Sequence, residues 1–361
     1  MNLQTFFILI FLLIGVTVLL AFTDILLGGH KQTLLRINKE NEFPVSGRGT
    51  STLLDALSEN RIFIPSACGG KGTCGHCKVK VESGGGDVLP MEENFLSPQE
   101  KKEGIRLACQ VRVRDDIDIN LPGDLLEAKE YTAEVVALED MNYDTKFIKL
   151  KLLSPETIDF KPGQYVQILV PGYEQFRAYS IASPPSQKDL LEFVIRYVPK
   201  GLCTTFIHKA LRVGDIIKFT GPYGEFYLQE DSGKPIVCLA RSTGIAPIRS
   251  IILHLKEKGL TRATHSYYSA RKKTDILLDD ELKAIEEKHP NFFHYIVLSR
   301  PGPEDHWEGE TGYITDTVPK YEESLEEKEY YLCGPPEMID DAIDVLVSQG
   351  VPKEQIFFDK F

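Results

Sequence analysis

Seven cysteines are spread over 361 residues, and four of them form a pattern. Cys68, Cys74 and Cys77 stand as Cys-x5-Cys-x2-Cys, and Cys109 follows after 31 further residues. Four thiolates at this spacing suit an iron–sulfur cluster, because sulfur is a soft ligand for iron. Gly69, Gly70, Gly72 and Gly75 lie between the first three. They let the backbone wrap closely around an inorganic core and turn N–H groups toward its sulfurs. A structural zinc site also takes four Cys, but usually as two short Cys-x2-4-Cys pairs, and here the fourth stands alone. A Rieske centre needs two His in place of two Cys; His76 is the single His of the loop and reads as a solvated residue. The pattern points to a [2Fe–2S] cluster on Cys68, Cys74, Cys77 and Cys109, with zinc or unligated buried thiols as the alternatives.

The chain that must position these thiolates is long enough for two or three domains, and 42% hydrophobic residues can fill real cores. A net charge of −12 argues against a nucleic-acid partner, since phosphate binding needs clustered Lys and Arg. The cysteine content is too sparse for a disulfide scaffold, which fits a reducing compartment. Cys203, Cys238 and Cys333 are far apart in sequence and read first as small buried hydrophobes.

Phe6 to Phe22 form an uncharged apolar run of 17, and only Asp24 interrupts its continuation to Leu27. Such a run can cross a bilayer. No basic residue precedes it and no small-x-small site follows cleanly, so it reads as an uncleaved anchor through residues 6–27 rather than a signal peptide. Lys31, Arg36 and Lys39 follow the run, so the positive-inside rule places the remaining chain in the cytoplasm, on an inner membrane crossed once.

Leu34–Ile37 and Glu42–Val45 read as a hairpin, and Ser51–Leu57 as a capped helix. Lys78–Val81 and Gln110–Val113 supply further strands. From about Tyr131 to Leu228, short alternating segments such as Tyr165–Val170 sit between Gly and Pro turns, the rhythm of a small antiparallel barrel. From Lys234, strands and helices alternate, as in Pro235–Ala240 and Ile248–Leu255, which predicts a parallel sheet covered by helices. The expected fold class is multidomain: a transmembrane helix over 1–30, an iron–sulfur domain over 31–126, a β-barrel over 130–230 and an α/β domain over 233–361.

With one extra residue between its first two Cys, the loop resembles the plant-type ferredoxin motif. This longer spacing is similar to that of the F subunits of Na+-translocating NADH:quinone reductases and of related oxygenase reductases. Ser83–Pro90 and Arg106–Val111 follow the same pattern, and the resemblance runs through nearly the whole chain. It implies a β-grasp ferredoxin domain ending near Leu121–Gly123, an FAD-binding barrel and a Rossmann-like NADH domain of the ferredoxin–NADP reductase kind.

Arg177-Ala178-Tyr179-Ser180 matches the Arg-x-Tyr-Ser motif of those flavoproteins. The resemblance implies that Tyr179 stacks on the flavin, Ser180 hydrogen-bonds near its reactive nitrogen and Arg177 neutralises the pyrophosphate. It also implies that Gly201, Cys203, Thr204 and Thr205 form a phosphate-binding turn opening a helix. Ser242–Pro247 resembles the nucleotide turn, with Thr243 and Gly244 at the dinucleotide pyrophosphate. Arg241 and Ser242 replace the two glycines usual in the family; a side chain there either obstructs the cofactor or offers the Arg241 guanidinium to a phosphate. Arg271 falls on the adenosine side with Asp275 four residues on, implying NADH, or NADPH if Arg271 reads a 2′-phosphate. Cys333, Gly334 and Pro335 carry the family's Cys-Gly-Pro-Pro signature, implying Cys333 beside the nicotinamide, and Phe361 is the candidate ring over the flavin. The long insertion that these F subunits usually carry before their Arg-x-Tyr-Ser motif is absent, Pro171–Phe176 crossing that region directly.

The resemblance implies an NADH:acceptor (quinone) oxidoreductase that passes hydride from NADH to FAD and single electrons to the cluster, with Ser180, Cys333 and Phe361 at the hydride-transfer site. The expected partners are integral-membrane subunits of a quinone reductase complex, which would be Na+-translocating, together with the bilayer itself. A reductase serving an oxygenase or another acceptor, and a non-catalytic electron carrier, are the alternatives.

Overall fold

The computed structural model describes residues 10, 12–19, 33–45, 49, 51–173 and 175–361. The expected anchor lies largely outside the described residues. The part of it that is described, at residues 10 and 12–19, is helical with Leu12, Leu13, Val18 and Leu19 more than half exposed. Among the described residues no helix is long and apolar enough to cross a membrane.

The chain divides into two compact units, one made of residues up to Ala56 with Val79–Asn120, the other of Leu57–Lys78 with Leu121–Phe361. The first is built on β1 (Thr33–Ile37), β2 (Asn41–Val45), β3 (Lys78–Ser83), β4 (Ile105–Leu107) and β5 (Ile117–Asn120), in the sheet order β2-β1-β5-β3-β4. The expected hairpin is β1 and β2, paired antiparallel from Thr33 opposite Val45 to Ile37 opposite Asn41. Alternation along β1 buries Thr33, Leu35 and Ile37. Helix α1 (Leu53–Glu59) buries Leu53, Ala56 and Leu57, one helical stripe. Thr52 and Asp55 cap it reciprocally: the Asp55 N–H donates to the Thr52 hydroxyl at 3.1 Å and the Thr52 N–H to the Asp55 carboxylate at 3.0 Å.

One expected strand is absent. Gln110–Val113 makes only an isolated bridge, Thr52 to Arg112, because the Gln110 and Val111 N–H groups turn back to the Leu107 carbonyl. Val111 and Val113 are buried, so alternation was present without a ladder. The central strand of this unit is β5, which the sequence reading did not single out.

The second unit holds two sheets. Strands β6 (Lys129–Asp140), β7 (Thr145–Ser154), β8 (Tyr165–Leu169), β9 (Phe176–Ser180), β10 (Leu190–Arg196) and β11 (Ile216–Tyr223) pair antiparallel in the order β10-β7-β6-β11-β8-β9. Ala133, Val135, Leu150, Phe193 and Phe219 fill the barrel core, and α2 (Leu202–Lys209) adds Cys203 and Ile207 to it.

Strands β12 (Ile236–Arg241), β13 (Thr264–Ala270), β14 (Phe292–Leu298), β15 (Glu310–Thr311), β16 (Glu329–Gly334) and β17 (Ile356–Lys360) are all parallel, in the order β15-β14-β13-β12-β16-β17. Helix α3 (Ile245–Glu257) helps form one core with Ile236, Cys238 and Ala240, while α4 (Ile314–Tyr321) and α5 (Pro336–Ser348) join Val237 and Leu239 in another. The two-residue period of β12 thus feeds both faces of the sheet. Strand order reverses direction at β12, so the crevice at the carboxyl ends of β12 and β16 is the expected ligand position of such a sheet.

Candidate functional site

The cysteine loop carries its sulfurs on a backbone that only glycine adopts readily. Gly69, Gly70, Gly72 and Gly75 have φ of 63°, 81°, 70° and 71°, all left-handed. The result is a set of inward amides. Burial alone would raise the Cys68 thiol, but backbone N–H groups of Thr73 and Lys71, with Cys74 and the Thr73 hydroxyl, point at its sulfur and hold it below the ordinary thiol value. For Cys74 burial wins and raises the thiol, although the N–H groups of His76 and Cys68 oppose it. Cys68 and Cys77 are buried and Cys74 half-buried, while His76 is exposed. These are the amide-to-sulfur contacts that a cluster-binding loop requires, and the donor set fits a [2Fe–2S] group. Among the described residues, geometry alone marks no group of three His, Cys, Asp or Glu as a metal centre.

Cys109 follows β4 in the other unit, buried, with the Gln110 amide donating to its sulfur at 3.2 Å. In that unit Arg106 is the organising cation. Its guanidinium reaches the fully buried Glu92 at 2.6 Å and donates to the carbonyls of Gly85, Gly86 and Asp87, each at 2.8 Å. The turn through Ser83–Pro90 is closed by this one side chain. Sequence reasoning placed Arg106 in a motif but missed Glu92.

The residues just before Cys68 are tied to the barrel within the second unit. The Ser66 N–H donates to the Gln167 Oε1 of β8 at 3.0 Å, and Arg177 of β9 donates to the Ala67 carbonyl at 2.7 Å. Arg177 also reaches the Phe176 carbonyl and Gln175 Oε1. Tyr179 and Ser180 follow on the same strand. The Tyr179 hydroxyl is raised by burial and by the Cys203 sulfur to which it donates, and Ser180 stands opposite Tyr165 in the β8–β9 register. Gly201 precedes α2, whose N-terminus carries no side-chain cap and leaves its first N–H groups open to an anion. The Thr204 hydroxyl is engaged with the Val198 backbone at 3.2 Å, holding the turn, and Cys203 belongs to the barrel core; Thr205 is half-buried in the first turn.

At the parallel sheet, β12 ends in Arg241 and turns through Ser242–Gly244 into α3, which also lacks a side-chain cap. Ser242 occupies φ 53°, the reason a glycine suits the position. A Cβ on Gly244 would stand 2.1 Å from the Cys333 carbonyl oxygen, so Thr243 and Gly244 pack directly on the end of β16. A cleft of about 160 Å³ opens there, lined among others by Tyr143, Arg241, Ser242, Arg271, Asp275 and Pro335. Cys333 is fully buried; burial and the Asp359 carboxylate push its thiol well up, so it stays protonated. Asp359 itself, opposite Cys333 in the β16–β17 register, is pushed up to about 6 by burial, against the Lys360 N–H. The Tyr165 hydroxyl is raised by burial and then by Asp359 and Cys74. Phe361 is 55% exposed and its N–H reaches the Gly334 carbonyl at 3.3 Å. Tyr165, Gln167 and Asp359 escaped the sequence reading; a lone Gln inside the apolar run of β8 was the one available signal.

Three family models match the chain: a 2Fe-2S iron-sulfur cluster binding domain over residues 35–114, an oxidoreductase FAD-binding domain over 132–227 and an oxidoreductase NAD-binding domain over 239–344. The F subunit of the Na(+)-translocating NADH-quinone reductase of Neisseria meningitidis is 33% identical over 98% of this chain and 97% of its own. That of Klebsiella pneumoniae is likewise 33% identical, over 98% of this chain and 97% of its own. Among solved structures, an Amycolatopsis cytochrome P450 reductase superposes with a TM-score of 0.75 and 30% identity, covering 91% of this chain and 98% of its own. A ferredoxin reductase in carbazole 1,9a-dioxygenase does so with a TM-score of 0.70 and 26% identity, over the same shares.

Proposed function

The chain belongs to the family of F subunits of the Na(+)-translocating NADH-quinone reductase, and from that premise we propose that it is the membrane-anchored entry point for NADH electrons into a quinone reductase complex. It is an NADH oxidoreductase with FAD-, NAD- and 2Fe-2S-binding domains. When bound, FAD supplies the conversion of a two-electron hydride into single electrons, and the cluster carries those onward. The chain's own residues bind, orient and insulate. Cys68, Cys74, Cys77 and Cys109 are the cluster ligands in this reading. Arg177 and the open end of α2, with Gly201, Cys203, Thr204 and Thr205 forming its turn, meet the flavin phosphates, while Tyr179, Ser180 and Phe361 frame the ring.

Thr243 and Gly244 hold the dinucleotide at the end of β12, Arg271 lies at its adenosine end, and Cys333, Gly334 and Pro335 border the nicotinamide. Hydride transfer needs alignment rather than a nucleophile, and a protonated, buried Cys333 thiol suits that role. The observation that carries the reading is a pair of hydrogen bonds just before Cys68, one donated by the Ser66 N–H to Gln167 Oε1 and one donated by Arg177 to the Ala67 carbonyl, which tie the start of the cysteine loop to β8 and to β9, the strand of the flavin motif.

The exposed apolar helix at residues 10 and 12–19 supports an inner-membrane anchor through 6–27, with the catalytic domains in the cytoplasm and integral-membrane subunits as partners. Anaerobic mixing with NADH tests the electron path: the flavin absorbance bleaches and the electron-spin signal of a reduced [2Fe–2S] cluster follows. A flavin that stays oxidised with NADH yet is reduced by dithionite overturns it in favour of a non-catalytic carrier. A second reading, a reductase serving an oxygenase, is favoured by the two solved reductases that match over 98% of their own lengths. Purification of the tagged chain from its native membrane in mild detergent separates the two: quinone reductase subunits support the first, an oxygenase the second.

A further inference from the structure

Within the second unit, Ala182 and Val194 of the barrel belong to one hydrophobic core with Ile245, Ile248 and Ile251 of α3. Apolar burial alone would hold the barrel and the parallel sheet together. Yet a charge is buried in the same seam. Arg249, on the second turn of α3, is 7% exposed, and its guanidinium bridges the two sides. Nη1 donates to the Ala182 carbonyl at 2.8 Å and to Glu192 Oε2 of β10 at 2.7 Å. Nε and Nη2 donate to the carboxylate of Glu281, in the helix Asp279–Glu286, at 2.6 and 2.8 Å.

The barrel side of this contact is itself knotted. The Ala182 N–H donates to the Glu192 carbonyl at 2.8 Å and the Glu192 N–H to the Ser183 hydroxyl at 3.2 Å. Ser250, next to Arg249, donates its hydroxyl to the Ser183 carbonyl at 2.7 Å, and both serines are fully buried. Lys149, opposite Glu192 in the β7–β10 register, takes the other carboxylate oxygen at 2.9 Å. Two further ties between barrel and sheet, Tyr143 to Asp275 and Ser186 to Glu257, are exposed. The buried pair adds direction to the apolar adhesion, since a shifted docking would leave its charges unpaired out of water.

Position gives this latch its meaning. Along α3, Arg249 is five residues past Gly244, about 7.5 Å of helix. On the barrel, Ala182 is two residues past Ser180, about 7 Å of extended chain. The latch is thus one short step from the nucleotide turn on one side and from the Arg177–Ser180 motif on the other. In hydride transfer the C4–H bond of NADH breaks and its hydride, carrying both electrons, passes to the reactive nitrogen of the flavin, leaving NAD+ and an anionic reduced flavin. The reacting atoms must stand about 3–3.5 Å apart, and a misplacement of about 1 Å costs about a hundredfold.

We propose that Arg249 is a positioning residue for hydride transfer: through Ala182 and Glu192, and with Ser250 on Ser183, it fixes the nucleotide turn against the flavin motif and so sets the distance between donor and acceptor. This rests on the reading given above, in which the nucleotide binds at the end of β12 and the flavin at β9. Arg249 acts through the backbone it holds.

Arg249→Met in the flavin-loaded full chain tests it. Glu192 keeps Lys149 and Glu281 is half-buried, so the variant strands no acid. The calorimetric Kd for NAD+ is expected to stay within about twofold of the parent. Rapid mixing with NADH is expected to show flavin reduction slowed at least about thirtyfold. The long-wavelength charge-transfer absorbance of NAD+ on the reduced flavin is lost, and the isotope effect with C4-deuterated NADH grows. Arg249→Lys, which keeps a cation for Glu192, recovers part of the rate. Ser250→Ala, with flavin absorbance as the folding check, slows the step at least about threefold and stands alone if the Met variant misfolds. An unchanged reduction rate in either folded variant, even with a lowered melting temperature, overturns the proposal and leaves the residue a stabilising one. A NAD+ affinity that falls in step with the rate overturns it as well, because spacing alters the transfer and not the binding. If NADH does not reduce the flavin of the unaltered chain, the electron-path reading fails and the latch with it.

Discussion

Gln167 Oε1 accepts the Ser66 N–H at 3.0 Å, across 101 residues of sequence, and the Gln167 side chain is buried. Replacing it by Leu strands a buried N–H, at about 1–3 kcal/mol. We expect Gln167→Leu to raise amide hydrogen exchange at Ser66 and Ala67 at least tenfold, while Gln167→Glu, which keeps an acceptor, restores protection. Unchanged exchange in the Leu variant would show that this contact does not hold the loop.

Gly244 faces the Cys333 carbonyl with no room for a methyl group, and the obstacle is backbone, which yields poorly. Gly244→Ala is expected to cost about 1–3 kcal/mol and to raise the KM for NADH more than tenfold with flavin content preserved. Gly123→Ala, where an added Cβ meets nothing within 4 Å, serves as the control and should be neutral in both thermal and kinetic assays.

Glu92 is held below its ordinary value of 4.5: burial would raise it, but Arg106 and the N–H groups of Leu89 and Leu107 outweigh that. A depressed carboxylate contributes stability that is present above 4.5 and lost as pH falls through its folded value. Arg106→Met leaves a buried, unpaired carboxylate and should cost about 3–5 kcal/mol. Denaturant titration across pH 4–7 (about the carboxylate range) should then show the opposite slope, with the variant gaining stability on acidification. The same slope in both proteins would contradict the assignment.

Asp359 behaves in the reverse sense. Its carboxyl is raised from 3.8 to about 6, so its contribution is present below 3.8 and lost as pH rises through about 6. Asp359→Asn should flatten the pH dependence of the melting temperature across that window and leave the variant more stable at neutral pH. A slope identical to that of the parent chain would place the titration elsewhere.

Local chemistry was legible in the sequence. The cysteine spacing, the glycines between the thiolates, the β1–β2 hairpin, the capped helix α1 and the turn from β12 into α3 each depend on residues within one short segment. What stayed hidden depends on partners far along the chain. Glu92 is an ordinary acid until Arg106 folds over it, and the cleft that Arg241 and Arg271 both line exists only once β12 and β13 lie side by side. Gln110–Val113 failed in the opposite direction, since its buried alternating valines satisfy their backbone through turns and a single bridge. Alternation reports burial, and a ladder needs a neighbour as well.

Strand β12 sends Ile236, Cys238 and Ala240 into one core and Val237 and Leu239 into the other. It therefore has no watery side on which an error could be absorbed. A slip of one residue would exchange the two sets wholesale and swing Arg241 and the turn behind it to the wrong face. Loops elsewhere can lengthen or shorten and be forgiven, whereas an insertion or deletion within this strand would be rejected by two hydrophobic layers at once. The aim of the nucleotide turn is thus policed by packing that never touches a nucleotide.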